Sequence, residues 1–376
     1  MINADVDALF GVKASMFASR RRHRIMTIMS DSFTVAAADA RLDDRGVAVR
    51  MGMLVAVLSL AAAAVVLRAA ESPFAPAAAI ALPNVEGRID HLAFDAATGR
   101  LYVAALGNNT VEVLDTKALT HVTSLSGFAE PQGIAVVAQP HTVAVANRRS
   151  GRIQWLNADT YQPGRLLQPG DDADNVRLDV NANRLYVGYG SGAIAAVDPQ
   201  DGKLLGQAAV GGHPESFQLE RAGSRIFVNV PTADQIAVVD RRAMKVTATW
   251  PVTMASACFP MALDETNRRL FIGCRRPAKV LVYDIASGKA TGAFDIVGDT
   301  DDLFYDAARK RVYVSGGEGF LDAIEEQSAN HFVRIAHLST AAGARTSLFV
   351  AEANRFYLAV PHRGRQRAEI RVYDIH

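Results

Sequence analysis

The stretch RLYVGYGSGAIAAVD (184–198) carries the reading of the whole chain. A short apolar strand (Leu185, Tyr186, Val187) runs into a Gly/Ser turn. A second apolar run, 194–197, then ends on Asp198. The phrase recurs as RLYVAALGNNTVEVLD (100–115), TVAVANRRSGRIQWLN (142–157), RIFVNVPTADQIAVVD (225–240) and RLFIGCRRPAKVLVYD (269–284). Looser copies occupy 311–326 and 355–374. Their central residues, Tyr102, Ala144, Tyr186, Phe227, Phe271, Tyr313 and Tyr357, lie 41 to 44 residues apart. A unit of that length, repeated seven times with strand–turn–strand patterning, predicts an all-β, seven-bladed β-propeller of four-stranded antiparallel blades.

The last repeat supplies only three strands before the chain stops. A ring with an open join exposes strand edges. The short run Ile80, Ala81, Leu82 therefore becomes the missing outer strand of the last blade, with 71–79 read as a linker and 80–376 as the propeller domain. Upstream, MGMLVAVLSLAAAAVVL (51–67) is uncharged, preceded by Arg45 and Arg50 and followed by small residues. That order matches a secretory signal, and its length just reaches that of an anchor helix. The expected organisation is thus a disordered or mis-assigned extension over 1–50, a signal peptide or anchor over 51–70, and a periplasmic or secreted body. Membrane contact is expected only through that segment.

Of 376 residues, 49% are apolar and 21% charged, which suits a well-cored soluble body. The formal charge is +1. Removing the nine Lys/Arg and six Asp/Glu of residues 1–70 from totals of 40 and 39 leaves 31 basic and 33 acidic residues. Such a body has no basic excess to recruit nucleic acid, and it is expected to be a monomer. Aspartates close the third strands at blade period (Asp115, Asp198, Asp240, Asp284, Asp374), which marks them as turn formers. The two cysteines, Cys258 and Cys274, fall on adjacent strands of the fifth blade. They form either a disulfide or a pair of buried thiols.

In a propeller the loops leading into the inner strands converge on one face, where binding residues concentrate. Those segments are GRIDH (87–91), AEPQG (129–133), DDADN (171–175), GHPES (212–216), CFPM (258–261), GDTDD (298–302) and GARTS (343–347). The strand phrases are alike; these segments differ, as a site requires. They place Arg88, Asp90, His91, Gln132, Asp174, Asn175, His213, Glu215, Asp301, Asp302 and Arg345 around a polar funnel. Carboxylates converging with amide oxygens suit Ca²⁺ or a similar divalent cation. His91 and His213 beside carboxylates suit proton transfer or a transition metal. The competing reading is a self-neutralised ring of ion pairs plugging a solvated channel. The sequence has no HExxH, GxSxG, Walker or CxxCH motif.

The phrases LYVA (101–104), LYVG (185–188), IFVN (226–229) and VYVS (312–315) resemble the YVTN repeat of the YncE-like family of exported bacterial β-propellers. The resemblance covers roughly 80–376 and implies the fold and export; it supplies no catalytic motif. The chain is more distantly similar to metal-dependent lactonase propellers, which hold a divalent cation with Glu, Asn and Asp. That likeness points to Asn175, Glu215 and Asp302 as metal ligands. The expected function is an exported binding protein presenting its funnel to a small ligand or an envelope protein. The alternative is a metal-dependent lactone or ester hydrolase.

Overall fold

The computed structural model describes residues 72–190 and 192–376. The expected extension, the signal segment and the first linker residue lie outside the described residues. Seven four-stranded antiparallel sheets follow one another; six run in sequence order from the inner strand outward, and the seventh takes its outer strand from the start of the described chain. The blades span 92–125, 131–167, 173–209, 217–251, 256–295, 300–339 and 347–375. No helix among the described residues is long and apolar enough to cross a membrane.

The last blade closes as expected, but with a longer strand. Strand β1 (Phe74–Ala81) pairs antiparallel with the last strand (Glu369–Ile375), from Phe74 opposite Ile375 to Ala81 opposite Glu369. Residues 74–79, read from the sequence as linker, belong to the sheet. Their Ala/Pro composition hides the strand. Pro76 is tolerated because the strand lies at the sheet edge, where its missing N–H breaks no ladder, and the register shifts beside it. Phe74 is 1% exposed and meets Tyr313, Phe356 and Tyr373 edge-on at 5.4, 5.8 and 6.1 Å. The strand is thus anchored into the interface with the neighbouring blade as well as hydrogen-bonded to its own.

The core lies between blades. The central aromatic of each second strand is buried: Tyr102, Tyr186, Phe227, Phe271, Tyr313 and Tyr357 are at most 1% exposed. Blade 2 has Ala144 at this position and fills its space with Trp155 from the next strand. The period-closing carboxylates cap turns. Asp115 accepts from the N–H groups of Lys117 and Ala118 at 2.9 and 2.8 Å, and Asp240 from those of Arg242 and Ala243, both at 2.8 Å. Those backbone bonds favour the ionised form and hold both carboxyls below the usual range. Asp374, with no turn after it, pairs with Arg355 at 3.2 Å. Cys258 stands opposite Cys274 in register, and the two are joined by a disulfide.

Candidate functional site

One backbone device aims the funnel residues. In blades 2, 3, 5 and 6 a non-glycine residue just before or at the start of the inner strand lies in the left-handed region: Glu130, Asp172, Ala257 and Asp299, with φ of 55°, 44°, 53° and 53°. Immediately beyond it the inner strand slips register against its neighbour. The breaks fall between Pro131 and Ile134, Ala173 and Val176, Cys258 and Met261, and Thr300 and Asp302. A bulge places extra residues where ladder pairing is suspended and re-aims their side chains. The bulged residues are Gln132 and Gly133, Asp174 and Asn175, Phe259 and Pro260, and Asp301. Gly133 is required by close approach: a Cβ there would stand 2.1 Å from the Asp174 carbonyl oxygen.

A cavity of about 320 Å³ opens among these loops. Ten of the eleven residues expected in the funnel line it: Arg88, Asp90, His91, Gln132, Asp174, Asn175, His213, Glu215, Asp301 and Arg345. Arg148, Asp172, Ser216, Phe259 and Arg275 complete the wall. Asp302 lies deeper, lining a second cavity of about 500 Å³ farther along the same inner strands, with Val176, Arg177 and Met261.

The two sides of the funnel differ in charge balance. On one side three arginines close around Asp301. Arg275 Nη2 is 2.6 Å from Asp301 Oδ1, and Arg345 Nε is 2.8 Å and Arg88 Nη2 3.8 Å from Oδ2. Arg345 also reaches Asp299 at 2.8 Å, Arg88 reaches Asp90 at 2.8 Å, and Arg275 packs over the Phe259 ring at 4.0 Å. Burial still pushes Asp301 up to about 6, although Arg345 and Arg275 oppose it. Burial likewise raises Asp90 against the pull of Arg88.

On the other side no arginine or lysine among the described residues pairs with Asp174 or Glu215; the facing cation is His213. Asp174, His213 and Glu215 bring one donor atom each to within 4.8 Å of one another. His213 Nδ1 donates to the Gly190 carbonyl oxygen at 2.8 Å, which leaves Nε2 facing Asp174 Oδ2 at 3.6 Å. Asp174 is 4% and Gln132 6% exposed, yet Asp174 Oδ1 and Gln132 Oε1 have no hydrogen-bond partner among the described residues. Among the described residues no side-chain hydrogen bond or ion pair satisfies Glu215. Burial, then the charge on Asp174, pushes its carboxyl up to about 8. The Asp174 carboxylate facing it raises His213 to about 9 in spite of burial.

His91 sits between the cavities. Burial alone would lower it, but Asp302 at 3.5 Å from Nδ1, with Asp90 and Asp174 behind, pushes it up to about 10. The Asn175 amide nitrogen lies 3.2 Å from Nε2, and Asn175 Oδ1 has no hydrogen-bond partner among the described residues.

The metal trio expected from sequence is divided between the two cavities, Asn175 and Glu215 lining the first and Asp302 the second. Asp302 Oδ2 accepts from the Ser347 backbone N–H at 2.8 Å and Oδ1 faces His91, so it serves as a buried link between blades 6 and 7. Asn175 turns to His91. Of that trio only Glu215 joins the three-donor group. Asp174, named for the funnel but not as a ligand, takes the central place; its acidic side chain inside a bulge was the available signal.

Fold and site define the class: a seven-bladed β-propeller with a polar funnel where its inner strands begin. The profile of a family described as outer membrane protein assembly factor BamB matches residues 75–248, just under half the chain. No curated protein matches. Among solved structures, a chain of the crystal structure of the mitotic checkpoint complex superposes with TM-score 0.68 and 11% identity, covering 93% of this chain and 99% of that one. Kuenenia stuttgartiensis hydrazine synthase gives TM-score 0.63 and 12% identity, covering 73% and 94%. At such identities the likeness is one of fold.

Proposed function

We propose that this protein is a binding propeller of the cell envelope, taking a small polar ligand into the funnel. The supporting observation is the contrast between its two sides. The arginine side is closed by its own ion pairs. The side formed by Asp174 and Gln132 holds two buried oxygens, Asp174 Oδ1 and Gln132 Oε1, with nothing to accept from among the described residues, beside the half-buried carboxyl of Glu215. A buried acceptor left unpaired costs about 1–3 kcal/mol, a cost that a bound donor or cation removes. The envelope setting is supported by the apolar 51–67 stretch, the YVTN-like strand phrases and the match to a family described by an outer-membrane factor. That match also favours a second reading, a protein partner docked over the funnel.

Thermal melts of chelator-treated full chain, run against polyols, amines, amino acids and dicarboxylates, test the first reading. A ligand that binds only the folded state raises Tm with concentration. The rise should disappear in Gln132→Ala. If no compound moves Tm, and Gln132→Ala melts higher than the parent in their absence, the unpaired oxygens are no ligand site and the small-ligand reading fails.

A further inference from the structure

We infer that Asp174, His213 and Glu215 form a binding site for a divalent first-row transition ion such as Mn²⁺ or Zn²⁺. The site lies within the funnel, so the inference rests on the funnel being a binding site, and it names what completes its acidic side.

Three observations carry it. First, the donors converge. Two ligand atoms each about 2.1 Å from one ion stand roughly 3 to 3.5 Å apart at angles of 90–110°. His213 Nε2 and Asp174 Oδ2 are already 3.6 Å apart, and all three donors fall within 4.8 Å. Small side-chain rotations bring them onto one centre. Second, His213 is oriented as ligand histidines are. Its Nδ1–H is spent on the Gly190 carbonyl, which fixes the tautomer and presents Nε2 to the carboxylates. Third, no arginine or lysine among the described residues pairs with Asp174 or Glu215. Asp174 Oδ1 is buried and unpartnered, and Glu215 has no ion-pair partner among the described residues. The four arginines of the cavity face other carboxylates: Arg88 binds Asp90, Arg275 and Arg345 bind Asp301, and Arg148 binds Glu130.

An imidazole with two carboxylates is a mixed nitrogen–oxygen donor set, which favours Mn²⁺ through Zn²⁺ over Ca²⁺ or Mg²⁺, whose sites are built from oxygen. The remaining coordination positions face the cavity. A ligand oxygen could fill one while the rest of the ligand meets Gln132 and Arg88 across the funnel.

The test uses the full 376-residue chain, stripped with chelator and dialysed against Mn²⁺, Zn²⁺, Ca²⁺ or Mg²⁺, with bound metal counted by mass spectrometry. One Mn²⁺ or Zn²⁺ per chain is expected. Asp174→Asn and Glu215→Gln should each weaken binding by more than the roughly 10- to 100-fold that loss of an orienting group costs. Asp302→Asn should leave it intact. Co²⁺ added to the unaltered chain should give visible absorption bands of mixed nitrogen–oxygen coordination, a readout independent of whether the variants fold. No uptake of Mn²⁺ or Zn²⁺, or uptake indifferent to Asp174→Asn and Glu215→Gln, overturns the inference. The small-ligand melts are run in chelator, so a failure here leaves that reading standing. Uptake of metal, with no compound moving Tm and Gln132→Ala melting higher than the parent, would keep this inference and sink that reading.

Discussion

His213 Nδ1 stands 2.8 Å from the Gly190 carbonyl oxygen, and this bond turns the other ring nitrogen toward Asp174. The two partners come from one blade's hairpin and the next blade's leading loop. The funnel's acidic side is therefore built by the packing of blade 3 against blade 4. Disturbing blade contacts should disturb the site, and the reverse should hold less strongly.

Asp302 provides a test of that separation. It accepts from the buried Ser347 N–H and faces His91. In Asp302→Ala the amide donor is left unpaired, which costs about 1–3 kcal/mol. Urea unfolding should show that loss while metal uptake persists. Unchanged stability with lost uptake would instead make Asp302 a ligand.

The protonation of His91 follows from the same contact. Its value of about 10 lies above the roughly 6.5 of an unfolded chain. Because the folded value is raised, its contribution to stability is complete below about 6.5 and is lost as pH rises through about 10. An NMR titration should find the His91 ring charged throughout pH 6 to 8, with Asp302→Asn bringing its titration back into that range. A ring that stays charged is no general base at neutral pH. A wild-type midpoint near 6.5 would contradict this.

Closure depends on β1. Phe74→Ala removes a buried aromatic packed against Tyr313, Phe356 and Tyr373, and should cost about 3–5 kcal/mol. A chain beginning at residue 83 would expose the whole edge of the Glu369–Ile375 strand and should aggregate. A soluble, monomeric truncation melting near the parent would show that the strand is dispensable.

The bond between Cys258 and Cys274 spans 16 residues of sequence. Loop-closure entropy for such a span is worth about 2–4 kcal/mol. Reductant should therefore lower Tm in the parent and have no effect on Cys258→Ser/Cys274→Ser. Equal melts with and without reductant would show the bond to be absent or without weight.

The blades were legible because their signal is periodic. Tyr102, Tyr186, Tyr313 and their equivalents recur at fixed spacing, and burial between blades demands that sameness. Strand β1 was seen only at its apolar end, since its remaining Ala and Pro residues carry no alternation. Membership of the funnel was legible from the loops, where difference replaces repetition. Grouping within it was not. Whether Asp174 or Asn175 faces Glu215 depends on the phase of a bulge set by backbone twist, and Asp302 falls on the far side of a similar break in blade 6. Sequence distance carries neither fact.

The most direct measurement is anomalous diffraction from crystals of the full chain grown with Mn²⁺ or Zn²⁺, collected at the metal's absorption edge. The account requires a single strong peak bounded by Asp174, His213 and Glu215. A funnel without a peak, with Glu215 instead paired to an arginine, would contradict it.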